Sequence, residues 1–277
     1  MELYSSTEGK FVLCIWLSLA CNNRGVFLSL VQTTLHSPTL MLETTLILFR
    51  CTAGGRLGDL WVFDVASRVW SQYPNPPGSA RGGSCLTYAM HRLFRYGGFD
   101  GNHELGGQID YLDVSVAERG DAKGEILSHG RSWESVHDSS PGNRSVAGLH
   151  PVTTGQGRNY LLLLLGESNP SSSGHDVAGQ FRDDVWSYQL QPANMTAASL
   201  KDAARRLVGA KTGENAWAKV EVPEASMKSG QLDSPCSRGW FASAPGQDIG
   251  TDTVVLWGGV SANNERAGDG WILTIDS

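Results

Sequence analysis

The residues of this chain whose types and spacing could support chemistry are three arginines, one glutamate, one histidine and one tryptophan. They are Arg81, Arg144, Arg238, Glu167, His175 and Trp240. Guanidinium groups bind anions such as sulfate esters through charge-assisted hydrogen bonds, and carboxylate and imidazole groups are common metal ligands. The arginines around the Glu–His pair therefore predict a site for an anionic ligand.

Structural interpretations of the same residues stay open. The five donors of each arginine can equally bond backbone carbonyls and brace neighbouring loops. Glu167 and His175 lie in one polar loop, where solvation alone explains both side chains. Trp240 lies two residues after Arg238, so we expect it to line the same site.

A repeated pattern of strands must position these residues. Each unit reads as arginine and a small residue, an apolar run ending in Gly-Gly or Gly-Glu, an alternating run of Asp and aromatic residues, and a tryptophan. The fullest unit contains RGG at 81–83, YGGFDG at 96–101, IDYLDV at 109–114 and Trp133. Alternation with a period of two predicts strands, and the unit is typical of the four-stranded blades of kelch-type β-propellers.

The sequence therefore predicts an all-β, kelch-type β-propeller that is incomplete, with three to four legible blades. The predicted blades cover 51–80 in part, then 81–140, 141–234 and 235–277. Apolar residues at helical spacing predict a helical insertion near 195–209. Residues 1–50 do not match the repeat and are predicted to be an atypical leader.

The N-terminal stretch leaves two possibilities for the ring. If blades are missing before residue 51, the open ring exposes sheet edges and is prone to association. Alternatively, FVLCIWL at 11–17 supplies a closing strand through Trp16.

Strand order predicts where the candidate residues meet. In an antiparallel blade, the start of strand one and the end of strand two lie at the same edge. The three arginines stand at strand-one starts, and Glu167 follows the end of a second strand. We expect them to share one face of the propeller with His175, near the central channel. Asp100, His103 and Glu104 lie in the neighbouring loop on that face.

Composition limits the classes of partner. The net charge is −6, with 22 Lys and Arg against 28 Asp and Glu, which argues against non-specific nucleic-acid binding, because such binding rests on clustered positive charge. The five cysteines form no C-x-x-C pair, which favours reduced thiols. The longest N-terminal apolar run is too short to span a bilayer. We expect a cytoplasmic protein without nucleic-acid or membrane partners.

Several segments resemble one family in order and content. They are GRLGDLWVFDVASRVW at 55–70, YGGFDG at 96–101, LGESNPSSSGHDVAGQF at 165–181, SRGWFAS at 237–243 and LWGGVSANNERAGDGWILTIDS at 256–277. Their order resembles the C-terminal portion of nitrile-specifier, thiocyanate-forming and epithiospecifier proteins and of their fungal kelch relatives. The resemblance implies a non-haem iron(II)-dependent, lyase-like activity in glucosinolate catabolism, which redirects the thioglucoside aglycone to nitriles.

The resemblance also implies an iron(II) site of Glu, Asp and His at four-residue spacing. Glu167 and His175 occupy the first and third positions, and Ser171 replaces the middle aspartate. Asp176 is a neighbouring substitute. The alternative function is a non-catalytic kelch scaffold that binds a protein partner through its loops, since propellers host both.

Overall fold

Every regular element that the structure describes is a β-strand. The structure is a computed structural model, and it describes residues 19–21, 24–26, 29–34, 44–52, 55–64, 68–114, 132–154, 157–173, 177–191, 213–221, 234–246 and 253–275. Two predicted features, the helix near 195–209 and the closing strand at 11–17, lie outside these residues. The described residues contain no helix that is long and apolar enough to cross a membrane.

Four antiparallel sheets follow one another along the chain. Blade 1 contains β3 (Ser29–Thr34), β4 (Thr44–Thr52), β5 (Gly55–Asp64) and β6 (Val69–Tyr73). Blade 2 contains β7 (Cys85–Ala89), β8 (Arg92–Tyr96), β9 (Gln108–Asp113) and β10 (Glu134–His137). Blade 3 contains β11 (Gly148–Thr153), β12 (Asn159–Leu164), β15 (Val185–Gln189) and β16 (Trp217–Val220). Blade 4 contains β18 (Ala242–Pro245), β19 (Thr253–Trp257) and β21 (Gly270–Thr274).

The blades are arranged as in a kelch-type β-propeller. Within each blade, every strand pairs with the strand that precedes it in the blade, and the first strands of successive blades contact one another. The all-β propeller class predicted from the repeat is thereby confirmed.

Three short two-stranded ribbons extend the blades at one edge. They pair β1 (Leu19–Cys21) with β2 (Arg24–Val26), β13 (Glu167–Asn169) with β14 (Gln180–Phe181), and β17 (Arg238–Gly239) with β20 (Val260–Ser261).

The core lies between the blades, because the middle strands are apolar on both faces. Alternate residues of β12 show this directly. Leu161 and Leu163 belong to the cluster shared with blade 2, whereas Leu162 and Leu164 belong to the cluster shared with blade 4. An unbroken leucine run is therefore a strand of period two that is buried on both sides.

A glycine after the second strand joins blade 2 to blade 3 and blade 3 to blade 4. The Gly98 N–H donates to the Arg144 carbonyl at 2.9 Å, and the Gly166 N–H donates to the Arg238 carbonyl at 3.0 Å. Gly97 adopts a φ of +66°, and a Cβ there would collide with the Arg144 carbonyl oxygen. Only glycine permits this approach. We call this hydrogen bond the inter-blade strap.

Part of the predicted leader belongs to blade 1. The boundary drawn at residue 50 falls inside β4, and β3 and β4 pair with each other and with β5. The sequence signal for this blade is Arg24-Gly25, which precedes β3 as Arg238-Gly239 precedes β18. Residues 1–50 do not match the repeat in sequence because they contain no Gly-Gly and no Arg-Gly that precedes a Gly-Gly at the spacing of the later blades.

Candidate functional site

The hydrogen-bond partners of the Arg144 side chain lie within blade 3. Its side chain is 0% exposed, and its Nη1 and Nη2 contact the Asp184 carboxylate at 2.7 and 3.3 Å. The same nitrogens donate to the carbonyls of Leu165 at 3.0 Å and Pro141 at 2.7 Å. The ion pair holds the pKa of Asp184 below its ordinary value against the opposing effect of desolvation. These contacts match the bracing interpretation of the arginine.

Arg238 repeats this geometry in blade 4. Its guanidinium contacts both carboxylate oxygens of Asp269, at 2.5 and 3.0 Å, and Nη1 donates to the Gly258 carbonyl at 3.0 Å. Nε donates to the Cys236 carbonyl at 3.1 Å. The hydrogen bond and charge of Arg238 lower the pKa of Asp269 to about 2.

A tryptophan completes each of these units. The Trp186 Nε1 donates to Asp184 at 2.8 Å, and the Trp271 Nε1 donates to Asp269 at 2.7 Å. In blade 1, the Trp61 Nε1 bonds Asp59 in the same way, at 2.6 Å. We call the set an Arg–Asp–Trp unit. In the sequence, the Asp and Trp of this unit recur in the triplets DLW, DVW and DGW. The alternation of strand residues did not indicate that the Asp forms an ion pair with the arginine at the start of the blade.

Blade 2 departs from the unit, and Arg81 differs as a result. Gln108 stands where the other blades have Asp, and Asp110 stands where they have Trp. Asp110 instead pairs with Arg95, which contacts it at 2.6 Å. Arg81 donates to the carbonyls of Ser79 at 3.0 Å and Gly97 at 3.3 Å.

Because Asp110 pairs with Arg95, it does not form an ion pair with Arg81, and this affects the pKa of Arg81. Burial and the nearby charge of Arg95 lower the pKa of Arg81 to about 10. Among the described residues, Arg81 makes no ion pair. Of the three candidate arginines, Arg81 is therefore the one whose positive charge the described residues compensate least.

Glu167 lies beside the strand-one start of its own blade, as the strand order predicts. It exchanges two backbone hydrogen bonds with Ser145, both of 2.9 Å. Its carboxylate is buried and accepts the Gly179 N–H at 2.7 Å, which closes the loop that follows. Desolvation and the negative charge of Glu104 raise the pKa of Glu167 to about 7. Two carboxyl groups from adjacent blades thus influence each other on one face.

Of the other implied iron-ligand positions, the structure describes Ser171 alone. His175 and Asp176 lie outside the described residues. The Ser171 Oγ accepts the Ser173 N–H at 3.2 Å, which makes it part of a turn. In the described part of the chain, no three His, Cys, Asp or Glu side chains come together as a metal site. Of the implied set, these residues supply Glu167 alone.

Trp240 lies near Glu167 through a shared neighbour. Phe181 is the strand partner of Glu167, and the Trp240 ring meets the Phe181 ring edge-on, with centroids 5.8 Å apart. Trp240 is partly exposed, and its backbone adopts a φ of +51°. Its N–H donates to the Val146 carbonyl at 3.1 Å, which fixes the residue between blades 3 and 4.

Comparison with known proteins finds likeness to solved structures but no sequence relative. No family model matches the sequence, and no curated protein matches it. Among solved structures, the chain is similar to YjhT, a kelch-repeat β-propeller protein, with 14% sequence identity and a TM-score of 0.48. The alignment covers 79% of this chain and 50% of the other, so this chain spans about half the length of that structure. The propeller assignment rests on the sheets and inter-blade straps themselves.

Proposed function

We propose that this chain is a non-catalytic kelch-type scaffold that recognises a protein partner through the loops of one propeller face. The observation that carries the proposal is the way these loops are built. In three successive blades, a short antiparallel pairing holds the loop that follows strand two. The pairs are Phe99 with Glu104, Glu167 with Phe181, and Val260 with Arg266.

The three loops share this frame but differ at their exposed positions. His103 is exposed in blade 2, Gln180 in blade 3 and Arg266 in blade 4. A fixed backbone that presents variable side chains is the arrangement by which loops on a rigid scaffold achieve specific recognition. Arg144 and Arg238 support the same proposal, because their ion pairs stabilise the blades that carry the loops.

Site-specific photo-crosslinking tests the scaffold function. A photoreactive residue is placed at His103 or Arg266 in the full chain, and at exposed Val69 on the outer strand of blade 1 as the control. We expect one shared partner to crosslink from the two loop positions and not from the control. The purified partner should then bind more weakly to His103→Ala and Arg266→Ala. Partners that differ between the two loops, or that crosslink equally at Val69, contradict the proposal.

The iron(II)-dependent nitrile-specifier activity is the second candidate. The buried Glu167 carboxyl beside Glu104 favours it, because a divalent cation would relieve the repulsion between two carboxylates. In this function Glu167 and His175 hold iron(II), and Arg81 orients an anionic thioglucoside-derived substrate.

Iron content and product analysis separate the two candidates. Protein prepared anaerobically with excess iron(II) is assayed for retained metal, with Glu167→Ala as the comparison. It is then added to myrosinase and a glucosinolate. Retained iron and a shift from isothiocyanate to nitrile, both lost in Glu167→Ala, support the enzyme and contradict a purely structural role.

A further inference from the structure

Two arginines from neighbouring blades lie against the loop that follows β8, residues 97–104. Arg56 on β5 of blade 1 places its guanidinium carbon 4.6 Å from the centroid of the Phe99 ring. Arg81 precedes β7 of blade 2 and lies against Gly98, where an added Cβ would come within 3.0 Å of the Arg81 Cδ. Both arginines are partly exposed. We call Arg56 and Arg81 the arginine pair.

Arg81 keeps a donor group that the protein does not use. Its Nε and Nη1 donate to the carbonyls of Ser79 and Gly97, and its Nη2 makes no hydrogen bond within the described residues. Gln108 stands where blades 3 and 4 supply a carboxylate to the corresponding arginine. Arg81 therefore presents a positive charge and unused N–H groups beside the loop.

Arg56 has even fewer polar contacts. In the described part of the chain, its side chain forms no hydrogen bond and no ion pair, and it is held over the Phe99 ring. An aromatic ring attracts the charge of a guanidinium group but leaves its N–H donors available for a ligand. Arg56 is thus a positioned cation that can still bind an anion.

The acidic residue of the same loop is held in its own turn. The Asp100 Oδ1 accepts the N–H groups of Asn102 and His103, both at 2.8 Å. These hydrogen bonds, followed by the charges of His103 and Arg56, lower the pKa of Asp100. Between the described residues, no ion pair joins Asp100 to either member of the arginine pair. The positive charges of the pair are therefore offset only in part.

The two guanidinium groups are placed along the loop and come from two blades. Arg81 lies against Gly98, before Phe99, whereas the Arg56 Nη1 would be 3.0 Å from a Cβ added at Gly101, after Phe99. A guanidinium group binds one carboxylate through two parallel hydrogen bonds. Two carboxylates spaced along one chain therefore match the pair better than a single compact anion does.

We propose that the arginine pair binds two acidic side chains carried by one segment of the protein partner. The inference rests on the scaffold function proposed above, and it names the chemistry that this part of the face recognises. The chain has a net charge of −6, so the pair is a local positive site on an acidic protein. Charge complementarity then favours a partner that presents its acidic residues at this loop and disfavours other orientations.

Fluorescence anisotropy with a labelled oligoglutamate peptide tests this chemistry on the full chain. We expect the wild type to bind the peptide at low ionic strength. Arg56→Gln and Arg81→Gln should each weaken binding roughly tenfold, as expected for the loss of hydrogen bonds between charged groups.

Arg92→Gln is the matched control. The Arg92 guanidinium also lies over an aromatic ring, that of Tyr111, at 4.8 Å from its centroid. Arg92 begins β8, whereas the arginine pair lies at the loop that follows the end of this strand. The variant makes the same change in net charge and should bind the peptide as the wild type does.

Competition by salts separates an acidic segment from a compact anion. Sodium sulfate and sodium phosphate are compared with sodium chloride at equal ionic strength. The three salts should weaken peptide binding to a similar extent, because screening is then their main effect. Displacement by sulfate or phosphate far beyond that by chloride would show that the pair holds a compact anion, and the proposal would be wrong.

The partner identified by crosslinking separates this inference from the scaffold function. Once purified, it should bind Arg56→Gln and Arg81→Gln more weakly than the wild type, and Arg92→Gln equally well. If it binds all three variants as it binds the wild type, the acidic-segment inference is wrong and the scaffold function stands. If no partner is shared by the His103 and Arg266 positions, the scaffold function fails and the inference fails with it.

Arg56→Gln keeps the proposal testable if Arg81→Gln does not fold. Because the Arg56 side chain makes no hydrogen bond within the described residues, its replacement should leave thermal unfolding, followed by circular dichroism, unchanged. Two results with the peptide overturn the proposal. One is a folded Arg56→Gln variant that binds oligoglutamate as tightly as the wild type does. The other is a wild type that binds oligolysine as well as oligoglutamate, or binds neither.

Discussion

At the scale of single residues, one carboxylate, that of Asp184, compensates the buried positive charge of Arg144. Arg144 has a fully buried side chain, and the Asp184 side chain is 10% exposed. Removing one member of such a pair leaves a buried charge without compensation, which costs more than the pair itself contributes. We expect Asp184→Ala to lower the free energy of unfolding by roughly 3 kcal/mol, as measured by urea denaturation followed by circular dichroism.

The matched variant is Asp269→Ala in blade 4. The Asp269 side chain is 41% exposed, so solvent can screen the Arg238 charge that remains. This variant should lose clearly less stability than Asp184→Ala. Equal losses would show that burial of the pair does not determine its contribution.

The sequence singled out three arginines but did not predict the carboxylates that pair with Arg144 and Arg238. Asp184 lies 40 positions after Arg144, and residue spacing does not encode a contact across that distance. Blade 2 contained a usable signal, because Gln108 and Asp110 replace Asp and Trp together. One repeat position that differs between blades says little, whereas two positions that differ together indicate that their side chains contact each other. On this basis the sequence alone predicts that Arg81 lacks the Asp partner that Arg144 and Arg238 have.

At the scale of elements, a buried histidine joins blades 3 and 4. His150 on β11 lies 2.7 Å from the Ser243 hydroxyl on β18, measured from Nε2. Burial lowers the pKa of His150 to about 4 from an ordinary value near 6.5. The unfolded chain therefore binds a proton between these values and the folded chain does not, so stability falls as the pH drops below about 6.5.

The blade 3–4 contact should accordingly be sensitive to acid. Between pH 7 and pH 5, His150 should contribute a loss of about 1–2 kcal/mol in the free energy of unfolding. His150→Gln removes the titration and should flatten this part of the pH dependence. His137→Gln, at an exposed position on β10, is the control and should behave as the wild type does. An unchanged pH profile in His150→Gln would assign the acid sensitivity elsewhere.

At the scale of the whole molecule, the repeat determined the fold class because its signals are local. Alternation, Gly-Gly and Arg with a small residue each lie within a few positions, so they can be recognised without knowing any contact. Blade 1 was only partly predicted, because β3 and most of β4 lie in residues 1–50, which contain no Gly-Gly and no Arg-Gly that precedes a Gly-Gly at the spacing of the later blades. The exposure of Trp257 was not predictable from the sequence, because the burial of a side chain at the end of strand two depends on its contacts with a neighbouring blade and not on the residue type.

Nearest-neighbour packing predicts how this molecule loses structure. In repeat proteins, stability is divided between each unit and the interfaces on its two sides. Leu161 and Leu162 are adjacent on β12 and both are buried, yet they belong to the clusters shared with blade 2 and blade 4 respectively. Each change to alanine should cost about 2–5 kcal/mol. Leu161→Ala should accelerate hydrogen exchange in β8 and β9 of blade 2, and Leu162→Ala in β19 and β21 of blade 4. If both variants accelerate exchange in the same blades, the two interfaces are not independent and the chain unfolds as a single cooperative unit.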